Sequence, residues 1–206
     1  MKRFGKYVLN TFLGIICALP VITLCTSITA MHFVNFKLQK DDSVNVFKEF
    51  FKSFRQNFVQ SIVFLIIIGG VGTLVGWSWV SLFTAEGDFS YIIGGLLLVA
   101  TLIFFNFECV STYLLAKFEN TTKRLILITI YASVRHMDVV TKASFMEAAM
   151  IAVPALIICV NPNIVTFSIG VVIFLALCVA FQIISSKLII PIFDELIKQN
   201  EEASQQ

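Results

Sequence analysis

Charge is scarce in this 206-residue chain. Asp, Glu, Lys and Arg make up 14% of it, against about 25% in an ordinary soluble domain. With 58% hydrophobic residues and a mean hydropathy of +0.90, the composition excludes a soluble globular domain and places the chain in a bilayer. A strong excess of one sign is also missing. The net charge is +2, and the basic residues cluster beside apolar runs, which marks them as topology and headgroup residues and gives no footing for nucleic acid. Histidine occurs only twice, and the five cysteines (Cys17, Cys25, Cys109, Cys159, Cys178) all lie in apolar runs without a CxxC pair. Neither a zinc site nor a disulfide frame is expected, and no cofactor. No nucleophile sits in a recognisable catalytic motif, so an enzyme is not expected. The run GGVGTLVGW, with Gly69, Gly70, Gly72 and Gly76, lacks the Lys-Ser/Thr of a phosphate loop and reads as close helix packing.

What the chain has in abundance is apolar length. About 20 residues cross a hydrocarbon core, and apolar segments of that order occupy residues 8–34, 61–83, 92–116, 143–160 and 164–185. The expected fold is an all-α polytopic membrane bundle in one domain, residues 1–206. Lys37, Lys40, Lys48, Lys52 and Arg55 lie between the first two segments, and Lys117, Lys123, Arg124, Arg135 and Lys142 lie before the fourth. The turns at 84–90 and 161–163 carry no basic residue. The positive-inside rule therefore puts both basic stretches and the C-terminus in the cytoplasm, with Trp77 and Trp79 near the outer interface.

The first segment conflicts with that rule. Lys2, Arg3 and Lys6 would lie outside if it crossed fully. Pro20 removes a backbone donor, and Thr23, Thr26, Ser27 and Thr29 can rebond freed carbonyls. Two readings stand: a kinked complete span, or a hairpin that re-enters and returns at Pro20. The basic residues ahead of an apolar core also mimic a signal peptide, but in a polytopic protein the first helix can itself serve as the targeting signal.

Two amphipathic stretches complete the pattern. Over residues 43–60, Phe47, Phe50, Phe51, Phe54 and Phe58 recur at helical spacing, with Lys48, Lys52, Arg55 and Gln56 largely opposite and a cap at Asp41, Asp42 or Ser43. This helix fits the cytoplasmic interface, or its Phe face packs on the bundle. Over residues 121–138, the apolar run 125–134 spans only about 15 Å, too short to cross. Arg135 and His136 at its end read as interfacial anchors or lipid-phosphate contacts, and the tail NEEASQQ reads as free and polar.

The ordered motifs LPVITLCTSITAMHFVNFKL, FKEFFKSFRQNFVQS and YLLAKFENTTKRLILITIYASVRH resemble the YesL-like family of bacterial integral membrane proteins over nearly the whole chain. Met137 and Asp138 depart from that pattern, where a more apolar continuation is expected. The resemblance implies no biochemical activity and no catalytic residue. It implies an accessory role in carbohydrate uptake, beside the permease or ATPase subunits of an ABC-type importer.

The candidate polar site inside the bilayer comprises Pro20, Thr23, Thr26, Ser27, His32, Asn106 and Glu108. Glu108 lies about 12 Å along its helix from Ala116, too deep to reach the interface easily, with Thr112 on the same face. It is either a proton or substrate contact, or a structural group bonded to His32, Asn35 or Gln182. Glu147 reads as an interfacial partner of Lys142. Two functions follow as expectations: a non-catalytic accessory protein, or a small transporter or channel-like protein using Glu108 and the Pro20 break.

Overall fold

The computed structural model describes residues 2–84, 90–117, 122–160 and 163–204, and every regular element among them is helical. The helices are α1 (Lys2–Ala18), α2 (Leu24–Lys40), α3 (Val46–Thr84), α4 (Ser90–Lys117), α5 (Thr122–Arg135), α6 (Met137–Val160) and α7 (Ile164–Ser204), with a 3-10 turn at Val21–Thr23 between α1 and α2. Five helical stretches are long and apolar enough to cross a membrane, giving the expected all-α polytopic bundle.

The first segment is a hairpin. Pro20 is extended (φ −73°, ψ 118°), and the Thr23 hydroxyl reaches back to the carbonyls of Cys17 (2.6 Å) and Pro20 (2.7 Å), rebonding acceptors freed by the break. The arms then run antiparallel. Arg3 Nε donates to Leu38 O at 2.9 Å and pairs with Asp42. Lys6 Nζ donates to the carbonyls of Asp42 (2.6 Å) and Val44 (2.8 Å). Met31 fills the notch left by Gly14, where a Cβ would meet its sulfur at 1.8 Å. The N-terminus therefore lies at the same end as Lys37 and Lys40, which removes the charge conflict posed by a full crossing.

The hairpin stops short of the far end of the bundle. Cys25, just after the turn, lies within electrostatic range of Glu108. Glu108 is nine residues, or about 14 Å, from Lys117 at the basic end of α4. More than about 20 Å of α4 continues beyond the turn, and the tip leaves Leu19, Val21 and Ile22 exposed. One face of α1 presents Phe4, Val8, Phe12 and Ile16 outward at i, i+4 spacing, as expected for a lipid-facing stripe.

Several boundaries differ from the sequence expectation. The amphipathic stretch 43–60 and the span 61–83 are one continuous helix, α3, capped by Asn45, whose side chain accepts from Lys48 N at 3.2 Å. Asp41 and Ser43 instead form their own turn, with Ser43 N and Oγ donating to the Asp41 carboxylate at 2.7 and 2.6 Å. No proline or glycine separates the two halves of α3 before Gly69, so nothing locally stops the helix. The fourth span begins at Met137, six residues before the expected start, because Met137 and Asp138 open α6 directly after a one-residue turn at His136. Helix α7 runs through Pro191 to Ser204. Residues 200–204 of the expected free tail are therefore helical, and 205–206 lie outside the described residues, as does most of the turns at 84–90 and 161–163.

Helix α2 is the hub, packed against α1, α3, α4 and α7. The larger core gathers Cys25, Phe36, Phe64, Cys109, Tyr113, Leu114, Leu125, Val140, Ile189 and their neighbours from α2 to α7. A second core joins Tyr7, Leu13, Val34, Leu38, Phe50 and Val179. Toward the opposite end, large apolar side chains such as Leu74, Trp77, Leu96, Ile103, Val160 and Val172 are exposed, which suits lipid as their solvent. Gly72 meets Phe104 (3.1 Å from a Cβ) and Gly170 meets Ile158 (2.9 Å), so both set close helix approaches, while Gly69, Gly70 and Gly76 face open space. The packing expected of the whole glycine run thus falls on Gly72 alone.

Candidate functional site

The basic half of the bundle holds three polar groupings built by helices distant in sequence. In the first, Asn10 Nδ2 donates to Met31 O (3.0 Å), Asn35 Oδ1 (2.9 Å) and Gln182 Oε1 (3.3 Å). Gln182 Nε2 donates to Thr11 Oγ1 at 2.8 Å. All four side chains are buried, and they tie the hairpin to α7. In the second, His32 stacks on Tyr113 (ring centroids 3.6 Å apart), and the Tyr113 hydroxyl donates to Ser185 Oγ at 2.5 Å. His32 Nδ1 has no hydrogen-bond partner.

The third grouping lies between α4 and α6. Asn106 Nδ2 donates to Thr141 Oγ1 at 3.1 Å, while its Oδ1, although buried, accepts nothing. The Cys109 thiol lies near Ser144 and the Glu147 carboxyl, and the Ser144 hydroxyl itself donates to Val140 O at 3.0 Å. Glu147 and Glu108 act on one another electrostatically across the helix interface, and Glu147 Oε2 is buried without a partner. Asn106 and Ser144 also line a cleft of about 240 Å³ walled by Trp79, Leu98, Leu102, Phe105 and Phe145. Two carboxyl groups close enough to act on one another inside an apolar helix bundle suit a shared proton or a small cation, since separate charges there are costly. Thr112 is occupied by Cys109 O at 3.0 Å.

These contacts redistribute the expected site. Glu108 is grouped with Cys25, Cys109, Tyr113 and Glu147. Asn35 and Gln182, expected beside it, serve Asn10 instead, because the hairpin turns α1 against α2 and α7. Glu147 does not pair with Lys142. The latter points away, toward Asp138 one helical turn earlier (4.0 Å, both exposed), because α6 is already helical at Met137. Pro20 and Thr23 make the hairpin turn, while Thr26 and Ser27 are fully buried with hydroxyls that have no partner. Asn10, Thr11, Tyr113 and Ser185 escaped the sequence reading. The signal was Asn10 inside an apolar run, on the helix face opposite Phe4, Val8 and Phe12.

The Phe-rich face divides. Phe50 is fully buried in the second core, Phe54 and Phe58 are half-buried, and Phe47 and Phe51 are exposed. Helix α5 is apolar on two faces, with Leu125, Thr129 and Ala132 buried and Leu127, Ile130, Tyr131 and Val134 exposed. Arg135 is exposed, and His136 Nε2 lies 3.5 Å from Glu195 of α7, bracing the α5–α6 corner against the last helix. Outside the spans, the Ser43 hydrogen bonds hold the Asp41 carboxyl below its ordinary range.

Residues 7–79, which cover the hairpin after its first turn and most of α3, match the family described as "Protein of unknown function, DUF624". The match is to a domain of unknown function and covers roughly a third of the chain. Neither the curated proteins nor the solved structures give a match.

Proposed function

We propose that the protein is a non-catalytic accessory protein of the bacterial cytoplasmic membrane that docks on the permease or ATPase subunits of a carbohydrate ABC-type importer. The observation that carries the docking role is α5. One face is buried against α4, and the other leaves Leu127, Ile130, Tyr131 and Val134 exposed at the basic end of the bundle. A helix too short to span with a second apolar face suits a partner groove. The resemblance to the YesL-like family supplies the sugar-import context. The positive-inside rule places the basic end, both termini and α5 in the cytoplasm, where an ATPase would meet them. Extraction in mild detergent should co-purify importer subunits with the wild type, and Leu127→Ser with Val134→Ser should release them while the protein stays folded. Recovery of the wild type as a partner-free monomer would overturn the reading.

A second reading rests on the Glu108–Glu147 pair, which suits proton- or cation-linked transport through the bundle. It requires that Glu108→Ala abolish uptake in a folded protein. Wild-type uptake in that variant would remove its principal residue.

A further inference from the structure

The first part of α3 carries an open hollow of about 570 Å³ lined by Lys48, Phe51, Lys52, Arg55 and Gln56, all of them exposed. Further along the same helix Val59, Val63 and Ile66 are exposed as well. At about 100° per residue, Lys48, Lys52, Arg55, Val59, Val63 and Ile66 fall within about 80° of one another around the helix axis. One outward face of α3 therefore passes from cations to aliphatic side chains. We propose that this face is a binding site for an anionic phospholipid, with the phosphate at Lys52 and Arg55 and an acyl chain along Val59, Val63 and Ile66.

The cations are available. Among the described residues, none of the Lys48, Lys52 and Arg55 side chains has an ion pair or a hydrogen-bond partner. Glu49 is the only acidic residue of α3, and its carboxylate is taken by Lys37 of α2 at 2.5 Å. Lys52 and Arg55 are three residues apart and so are neighbours on the helix surface. The Arg55 guanidinium can meet a phosphate through two parallel N–H donors, and Lys52 adds a compact charge beside it. Basic residues next to a membrane-spanning stretch attract anionic lipid. The aliphatic row decides what kind of anion fits. It begins one helical turn after Arg55, inside the membrane-length apolar stretch of α3. A soluble anion would leave that row uncovered, and so would an acidic protein segment confined to the aqueous side. A phospholipid covers the cations and the row with one molecule.

The test is native mass spectrometry of the full chain released from nanodiscs of phosphatidylcholine mixed with phosphatidylglycerol. The wild type should retain phosphatidylglycerol selectively. Lys52→Gln with Arg55→Gln, both at exposed positions, should weaken that retention by about 25-fold, at roughly a five-fold factor for each cation near an anionic surface. Lys123→Gln with Lys142→Gln, which removes as much charge from exposed positions on α5 and α6, should leave it within about two-fold. Glycerol 3-phosphate, which carries a phosphate and no acyl chain, should not displace the lipid when added in excess. Equal retention of the two lipids by the wild type would overturn the proposal. An equal loss in the α5 and α6 variant would do so too, by showing diffuse surface charge in place of a site, and displacement by glycerol 3-phosphate would assign the face to soluble anions instead.

Discussion

Asn10 is the polar residue on which the hairpin depends most, and replacing it with valine should show how. The Asn10 amide donates to Met31 O, Asn35 Oδ1 and Gln182 Oε1. The amide nitrogen carries two hydrogens, so these contacts amount to two full bonds, worth about 0.6 kcal/mol each on average inside membrane bundles; with the buried Asn35 Oδ1 left unpaired, Asn10→Val should cost about 2 kcal/mol. Asn35→Val should cost less than about 1 kcal/mol, because Asn10 keeps two of its three acceptors and the Asn35 Nδ2 group, buried without a partner, is removed. Once Asn10 is gone, Asn35 is a fully buried amide stripped of its bond to Asn10. Adding Asn35→Val to Asn10→Val should then recover about 1 kcal/mol, since removing both partners is cheaper than stranding one. The assay is reversible unfolding in mixed micelles for the two single variants and the double variant, treated as a double-mutant cycle. A double variant as unstable as the two single losses combined would refute the network and assign the cost of Asn10→Val to packing alone.

Three further outcomes follow. In a cysteine-free background, Gly5→Cys, introduced where a Cβ meets nothing within 4 Å, and Lys40→Cys should react with an impermeant maleimide from the same side of the membrane, and Ser81→Cys from the other. Reaction of the first two from opposite sides would mean that the first segment crosses. Gly170→Leu should destabilise the bundle by about 1–3 kcal/mol, because the side chain must displace Ile158 near the Pro154 carbonyl, whereas Gly76→Leu, which meets open space, should be close to neutral in thermal unfolding. For Asp41, the folded carboxyl titrates below its ordinary value of 3.8. Its contribution to stability is therefore complete above that value and lost as pH falls through the lower folded one. Ser43→Ala should move the Asp41 titration, followed by NMR, back toward the ordinary value, and an unmoved titration would assign the depression to other charges.

Much of the architecture was legible in local pattern. Apolar length located the spans, the 3.6-residue period of the phenylalanines located the first part of α3, and Pro20 with Thr23 located the break. Composition could not choose between a kinked span and a hairpin, because proline serves both. What distinguishes them is where Arg3 and Lys6 find carbonyl acceptors, 35 to 38 residues away. The positive-inside conflict was the one sequence signal that favoured return, since a hairpin is the only arrangement of that segment that keeps all the basic residues at one end.

The polar layer was less legible for a related reason. Each of its members sits on a helix whose buried face is set by other helices, so hydropathy reports that Asn10, Glu108, Glu147 and Gln182 are unusual without reporting which meet. Proximity in sequence then misleads. Lys142 lies five residues before Glu147, and the natural inference is an ion pair. Yet on a helix already formed at Met137, Lys142 shares a face with Asp138, four residues before it, while Glu147 turns inward to Cys109 and Glu108. The start of α6 therefore decides the chemistry of the α4–α6 interface. With α6 beginning at residue 143, Lys142 would fall outside the helix, free to take Glu147. Beginning at Met137 leaves Glu147 to Glu108, and places two carboxyl groups, not an ion pair, inside the apolar bundle.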